Sequence, residues 1–175
     1  LYQQGEAHFD QGRWQRAIDL FEQILDLDPK YVGLDPRYQE TEARLEEAKR
    51  QRDLEILYTE GLDYFEQKRW TEAIERFESI GLLEKTYHDV PARLEEARHQ
   101  QRLHNLYCTA VEHLQTSQWD EAITAFEEIS GLQSDYEDVV LATLYARGMK
   151  EFEAGRWEEA LSILGQVVAQ DVLYR

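Results

Sequence analysis

The sequence contains little cysteine, proline or methionine, with one Cys, three Pro and one Met among 175 residues. The single cysteine, Cys108, excludes an internal disulfide and is typical of a protein from a reducing compartment, so we expect a cytoplasmic location. No apolar run approaches the roughly 20 residues that a membrane-spanning helix requires, and no signal-peptide pattern occurs. The scarcity of proline leaves room for long helices.

Basic residues are scarce as well. The chain has 19 Lys and Arg against 36 Asp and Glu, a formal net charge of −17. This negative field repels the phosphates of nucleic acids and anionic lipid headgroups, so we expect neither nucleic acid nor a membrane as a partner. It favours a basic protein or peptide, and the alternative is that it only keeps the chain soluble. Residues 106–175, with 13 acidic and 4 basic side chains, are the expected dock for a basic partner.

Catalytic motifs are absent too. The sequence has no HExxH helix, no glycine-rich phosphate loop and no nucleophile elbow. His104 and Cys108 are four residues apart on a predicted helix, which suits two metal ligands, but a third ligand would have to come from His113 or from a distant segment. We therefore predict a protein that is not an enzyme and that has neither a cofactor nor a metal site.

What the sequence does contain is a fourfold repeat. Offsets of 56, 49 and 38 residues superimpose all four tryptophans, which are Trp14, Trp70, Trp119 and Trp157. The same offsets align further positions, which in the first unit are Leu1-Tyr2, Gly5, Phe9, Ala17 and Phe21. Agreement at so many positions predicts four structural repeats in a single domain, bounded at about 1–36, 37–88, 89–135 and 136–175.

Each repeat is predicted to form two amphipathic helices. Leu1, Gly5 and Phe9 recur at four-residue steps and share one face, while the apolar residues from Ala17 onward follow the three-and-four spacing of a second helix. Small residues at Gly5 and Ala17 would let the two helices approach closely. Because the chain begins within the first repeat, we interpret it as a fragment of a larger protein.

The first helices of the second and third repeats are predicted to be long. The segment ARLEEA occurs at Ala43 and again at Ala92, and no proline or glycine interrupts residues 37–60. We therefore expect continuous helices over about 37–67 and 90–117. The junction before the fourth repeat is eleven residues shorter. Eleven residues make about three helical turns, so the helix there is shortened without rotating its downstream face.

The segment GEAHFDQGRWQRAIDLFEQILDLDP resembles the tetratricopeptide repeat (TPR), a helix–turn–helix module. Gly5, Gly12, Ala17, Phe21 and the closing Asp28-Pro29 stand where that family has glycine, glycine, alanine, an aromatic residue and proline. The resemblance implies an all-α, right-handed superhelical solenoid of four TPR-like repeats with extended first helices in repeats 2 and 3. The spacing of 38–56 residues exceeds the usual 34 of the family, and here the chain resembles the long-spacing arrays of bacterial multidomain signalling proteins.

The resemblance also implies a site. Arrays of this kind bind a peptide or a helix in a concave groove that their first helices form. The residues placed in this groove are Tyr2, Phe9, Tyr58, Leu62, Phe65, Tyr107, Val111, Leu114, Tyr145, Met149 and Phe152. The alternative is that the tyrosine stripe packs neighbouring repeats together. The tryptophans are interpreted as packing between adjacent hairpins rather than as a ligand surface.

We thus predict a non-enzymatic protein–protein interaction scaffold. The alternative is a regulatory or sensor arm that controls an attached catalytic domain (protease-like, kinase or nucleotide-sensing) in a bacterial signalling or defence effector. A partner helix along the solvated ARLEEA segments is a further possibility. The last predicted helix has no polar capping helix after it, so we expect self-association, more protein or a partner to cover its apolar residues. These residues are Leu161, Ile163, Leu164, Val167 and Val168.

Overall fold

The computed structural model describes residues 1–27 and 36–174, and over these residues the chain forms eight α-helices and no β-strand. The helices are α1 (Tyr2–Asp10), α2 (Trp14–Leu27), α3 (Pro36–Glu66), α4 (Trp70–Leu83), α5 (Val90–Gln115), α6 (Trp119–Leu132), α7 (Val139–Glu153) and α8 (Trp157–Gln170). The predicted all-α architecture of four helix–turn–helix pairs is confirmed. Asp28-Pro29, which the resemblance to the tetratricopeptide repeat included, lies outside the described residues.

The chain divides into two compact units, Leu1–Ala97 and Arg98–Arg175, and the boundary falls within α5. In the first unit α1 packs on α2, α2 on α3, and α3 on α4. In the second unit α6 packs on α7 and α7 on α8. Helices that follow one another in the sequence are thus neighbours in each unit, as expected for stacked repeats. The assignment of all four repeats to a single domain stays a prediction.

The first unit has two apolar clusters, one for each helix pair. In the first cluster, Ile18 and Phe21 of α2 pack against Leu45 and Ala48 of α3. Complete burial of a side chain such as Phe21 contributes about 2–3 kcal/mol to the free energy of folding. Leu45 and Ala48 belong to the ARLEEA segment, so the buried apolar residues of that segment pack in the cluster shared with α2.

The second cluster of this unit joins α3 to α4 and to the start of α5. Leu54 of α3 packs with Phe77 and Ile80 of α4, and Tyr87 and Val90 close the cluster. The core of the second unit is built in the same way from α5, α6 and α7. Its buried residues include Leu103, Ala110, Leu114, Phe126, Ile129, Val139, Ala142 and Ala146.

The long helices have the predicted bounds. Helix α3 is continuous over 31 residues and α5 over 26 residues. Helix α7 has 15 residues and is therefore eleven residues shorter than α5, so the missing residues are removed from the helix itself. Because eleven residues correspond to about three turns, the remaining part of α7 keeps the face that packs in the other repeats.

Glycine allows the two helices of a pair to approach closely. A Cβ atom added at Gly61 of α3 would lie 2.6 Å from Cε1 of Phe77 in α4, and one at Gly5 of α1 would lie 2.5 Å from Cε1 of Phe21 in α2. Carbon atoms cannot approach to this distance without displacement of the ring. The predicted role of Gly5 in the close approach of the two helices is confirmed.

Replacing Gly61 with alanine should lower the free energy of unfolding by about 1–3 kcal/mol, because Phe77 must move to admit the Cβ atom. Gly81→Ala in α4 is the matched control, since no atom lies within 4 Å of its added Cβ. The Gly81→Ala variant should have a free energy of unfolding up to about 1 kcal/mol higher, because alanine has a higher helix propensity than glycine. Urea unfolding followed by circular dichroism measures both values, and equal effects of the two substitutions would contradict the close-contact argument.

The turn inside each hairpin requires a residue with positive φ. This residue is Gly12 (φ 68°), Lys68 (φ 58°), Ser117 (φ 58°) and Gly155 (φ 74°) in the four pairs. A residue with a Cβ atom is strained by about 1 kcal/mol in this region, whereas glycine is not. The turns at Lys68 and Ser117 therefore adopt the left-handed conformation at a cost in free energy.

Ser117→Gly should raise the free energy of unfolding by about 1 kcal/mol, because the conformation is retained and the strain is removed. Ser117→Ala is a control at the same position, since alanine removes the hydroxyl but keeps the Cβ atom. Chemical denaturation of the two variants should show a gain for glycine only. A gain for alanine of similar size would show that the hydroxyl, not the backbone conformation, is responsible.

Candidate functional site

The tyrosines of the first helices are fixed by contacts inside the protein. The hydroxyl of Tyr58 in α3 donates a hydrogen bond of 2.6 Å to Oδ1 of Asp89, the residue before α5. In the second unit, Tyr107 of α5 donates in the same way to Asp138, the residue before α7. Each bond therefore ties one first helix to the start of the next. Asp138 also accepts a hydrogen bond of 2.5 Å from the hydroxyl of Tyr174.

Each of these tyrosines also contacts a second tyrosine located 29 residues further along the chain. The ring centroids are 5.9 Å apart for Tyr58 and Tyr87, 5.9 Å for Tyr107 and Tyr136, and 6.1 Å for Tyr145 and Tyr174, all in an edge-on arrangement. Edge-on pairs of this kind contribute about 0.5–1.5 kcal/mol beyond the buried area. The tyrosine stripe thus has a packing role, and its role in partner binding stays a prediction.

Electrostatics around Asp89 reflect these bonds. The hydrogen bond from Tyr58, together with the guanidinium of Arg93 at 2.9 Å, holds the pKa of Asp89 below its ordinary value. The same hydrogen bond, followed by burial, raises the pKa of Tyr58. Burial is the main cause of the raised pKa of Tyr87 and of Tyr136. The hydrogen bonds therefore favour the charged carboxylate and the neutral phenol.

Among the other predicted groove residues of the first unit, aromatic contacts dominate. Phe9 lies edge-on to Trp14 with 5.2 Å between centroids, and the guanidinium of Arg44 stands 5.0 Å from its ring. Tyr2 contacts Phe21 at 6.1 Å. Phe9 and Tyr2 are half-buried and keep part of their surface accessible. Leu62 and Phe65 pack against the second cluster and are half-buried as well.

In the second unit the predicted groove residues differ in accessibility. Leu114 belongs to the buried core and offers a partner almost no surface. Val111 and Tyr145 pack against that core and are half-buried, as is Met149. Phe152 is 48% exposed.

Three of the tryptophans pack within their own hairpin. Trp14, Trp70 and Trp157 lie edge-on to Phe9, Phe65 and Phe152, with centroids 5.1–5.2 Å apart. Trp119 packs against the core of the second unit. The sequence-based expectation placed these rings between neighbouring hairpins. The ring pairs instead join the last turn of a first helix to the first turn of its own second helix.

The first unit contains an open groove of about 700 Å³ over the middle of α3. The turn between α1 and α2 forms one wall and the loop between α4 and α5 forms the other. Its lining residues include Trp14, Gln51, Glu55, Tyr58, Leu62 and Tyr87. Tyr58 and Leu62 are predicted groove residues, so the structure brings two of the predicted side chains to one cavity.

The groove is acidic. Its described lining includes the carboxylates of Glu55 and Glu84 but no lysine or arginine. Glu84 is paired with Arg50 at 3.0 Å, whereas the side chain of Glu55 is exposed. No pattern in the sequence marks Trp14, Glu55 or Tyr87 as groove residues, because only the packing of α3 against two separate loops places them together.

Sγ of Cys108 and Nε2 of His104 lie 3.6 Å apart, but in residues 1–27 and 36–174 no three His, Cys, Asp or Glu side chains form a group that could hold a metal ion. No described helix combines the length and the apolar character needed to cross a membrane.

Comparison with known proteins identifies one module in the chain. Residues 1–31 match the family model of the tetratricopeptide repeat. No curated protein matches the chain. The matched segment covers α1 and α2.

Replacing Tyr58 with phenylalanine should raise the pKa of Asp89, because its strongest hydrogen bond is lost. A carboxyl whose pKa is lowered by folding stabilises the protein above its unfolded-state pKa of about 3.9, and this contribution is lost as the pH falls through the folded-state pKa. The variant should therefore be less stable by about 0.5–1 kcal/mol between about pH 5 and 8, a value that already allows for the exposure of Asp89.

This stability difference should decrease as the pH falls through the lowered folded-state pKa of Asp89, because protonation removes the charge that strengthens the hydrogen bond. Urea unfolding measures the difference, and a carbon-detected NMR titration of Asp89 measures the pKa. Tyr64→Phe is the control, because it removes a hydroxyl from the same helix without touching Asp89. An equal pKa shift in the two variants would contradict the assignment of the hydrogen bond.

Proposed function

We propose that this chain is a non-enzymatic scaffold that binds a peptide or a helix of a partner protein, or of a neighbouring domain, through the surface of its first helices. The match of residues 1–31 to the tetratricopeptide repeat supports the general class, since such repeats are typically non-catalytic modules that bind proteins. The observation that carries the proposal for this chain is the groove over α3, which is large and open enough for several side chains of a peptide.

The chemistry of the groove supports a basic partner. Trp14, Tyr58 and Leu62 offer apolar and aromatic contact surface, while Glu55 offers a carboxylate to a lysine or arginine side chain. The negative charge of the whole chain would accelerate encounter with such a partner. In the alternative function, a regulatory arm of a bacterial effector, the same groove would hold a segment of the attached catalytic domain.

Self-association through the last helix is the second candidate mode of interaction. Its basis is the exposure of Leu161 and Val168 on α8, since exposed apolar patches mark contact surfaces. If the chain self-associates in this way, sedimentation of the intact chain should detect a dimer that dissociates on dilution.

Glu55→Lys should weaken the binding of a basic peptide at least about fivefold, because it replaces an attractive charge in the groove with a repulsive one. The probe is a fluorescein-labelled twelve-residue peptide of Arg, Leu and Ser, followed by fluorescence anisotropy at physiological salt. A peptide with Glu in place of Arg should not bind. Glu55 is exposed, so the substitution should leave the thermal unfolding curve unchanged.

Glu75→Lys in α4 is the matched control, because it makes the same change of charge at an exposed position outside the groove. Its affinity for the basic peptide should stay within about twofold of the parent protein. Equal losses in the two variants would show attraction to the net charge rather than binding in the groove. Failure of the basic peptide to bind, or preference for the acidic one, would overturn the proposal.

A further inference from the structure

Arginine side chains of the first unit occupy sites that are formed by a carboxylate and an aromatic ring of one helix. Arg44 of α3 reaches α1, where its Nε lies 3.2 Å from Oε1 of Glu6. Its guanidinium carbon lies 5.0 Å from the centre of the Phe9 ring. Glu6 and Phe9 are three residues apart, so they are neighbours on the surface of α1. The guanidinium therefore contacts a negative charge and a ring at the same time.

A second site of this kind lies further along the first unit. Arg76 of α4 pairs with Glu60 of α3 at 2.7 Å and stands 5.6 Å from the centre of the Tyr64 ring. Glu60 and Tyr64 are four residues apart and again share one side of a helix. A guanidinium suits such a site because it is planar, pairs with a carboxylate through its N–H groups and stacks on aromatic rings.

The groove over α3 contains the same combination without an arginine. Glu55 and Tyr58 are three residues apart, as the two residues on α1 are, and both line the groove. No lysine or arginine is among the described residues of that lining, and the side chain of Glu55 is exposed. Arg52, one turn before Glu55, pairs with Asp53 at 2.8 Å. The carboxylate and the ring are therefore accessible to a cation that enters the groove.

The wall of the groove adds a second aromatic surface. Trp14 and Gly12 both line it, and Trp14 is half-buried. A Cβ atom added at Gly12 would lie 3.7 Å from Cζ2 of Trp14, in ordinary contact with the indole. Because glycine has no side chain there, this part of the ring is left uncovered by its neighbour. The groove thus offers aromatic surface on α3 and on one wall in addition to the carboxylate.

The carboxylate is not part of the packing that the repeats share. The offset of 49 residues aligns Tyr58 with Tyr107, but it aligns Glu55 with His104. Tyr107 nevertheless has the same ring contact and the same hydrogen bond to an aspartate. These contacts therefore do not require a carboxylate at the position of Glu55, which leaves this residue free to bind a partner.

We propose that Glu55 and Tyr58 form a subsite for an arginine side chain of the partner peptide. The guanidinium pairs with the carboxylate and stacks on the phenol ring. This inference rests on the proposed scaffold function and adds a specificity, which is a preference for arginine over lysine. A lysine ammonium is also attracted by Glu55, but it is compact and more strongly hydrated, so it gains less from the ring. The preference therefore depends on Tyr58, whereas attraction to any cation depends on Glu55.

The test compares two labelled peptides of equal length and charge. One is the twelve-residue peptide of Arg, Leu and Ser, and the other has Lys in place of every Arg. Fluorescence anisotropy should show that the arginine peptide binds the intact chain about fivefold more tightly. Tyr58→Leu should reduce this ratio to less than about twofold. Any loss of folded protein lowers both affinities by the same factor, so the ratio reports on the subsite even if the variant is less stable.

Tyr64→Leu is the matched control, because it removes a ring from the same helix outside the groove lining. It should leave the ratio of the two affinities unchanged. Glu55→Gln should weaken the binding of both peptides about threefold, because the attraction to a cation is lost. Glu75→Gln, at an exposed position outside the groove, should weaken neither.

Equal affinities of the parent protein for the two peptides would overturn the arginine subsite, as would a ratio that Tyr58→Leu leaves unchanged. The scaffold proposal would stand in both cases, because a basic peptide still binds. Tighter binding of a peptide with trimethyllysine in place of Arg would also overturn the subsite, since the rings would then select a methylated ammonium. If neither basic peptide binds, the scaffold proposal itself fails and the arginine subsite fails with it.

Discussion

The contact between a large side chain of each second helix and the smallest residue of its first helix sets the geometry of every pair. Phe21 lies against Gly5, Phe77 against Gly61 and Leu164 against Gly148, at distances that leave no room for a Cβ atom. The third pair has Ala110 and Phe126 in these places, both fully buried. Because the separation of the two helices depends on this contact, it also determines where the turn, the following loop and the accessible face of each first helix lie.

A second set of contacts joins one pair to the start of the next. Tyr58 and Tyr107 each combine an edge-on ring contact with a hydrogen bond to the aspartate that precedes the next first helix. The ring supplies apolar area and the hydroxyl supplies a directional bond, so one side chain fixes both spacing and orientation. Both tyrosines are half-buried. They therefore stabilise the structure and also border the surface that a partner would contact.

Much of the fold could be predicted from the sequence. The alignment of Trp14 with its three counterparts fixed the number of helix pairs, the absence of proline and glycine from residues 37–60 predicted the length of α3, and the eleven-residue deletion predicted the shorter α7. The packing of the tryptophans was harder to predict. The resemblance to the tetratricopeptide repeat implied a packing role for Trp14, but repeat spacing alone does not distinguish Phe9 of the same pair from a residue of the neighbouring pair as its contact.

The sequence by itself determined the helices, their pairing and the surplus of carboxylates, because these depend on local spacing and on composition. Only the tertiary structure decided which side chains share a surface. The groove over α3 combines Trp14, Glu55 and Tyr87, which come from three separate segments and meet only when α3 packs between two loops. Likewise, Ile18 and Leu161 occupy the same position of the repeat, and their opposite exposure depends on whether another helix packs on them, which no pattern within the repeat encodes.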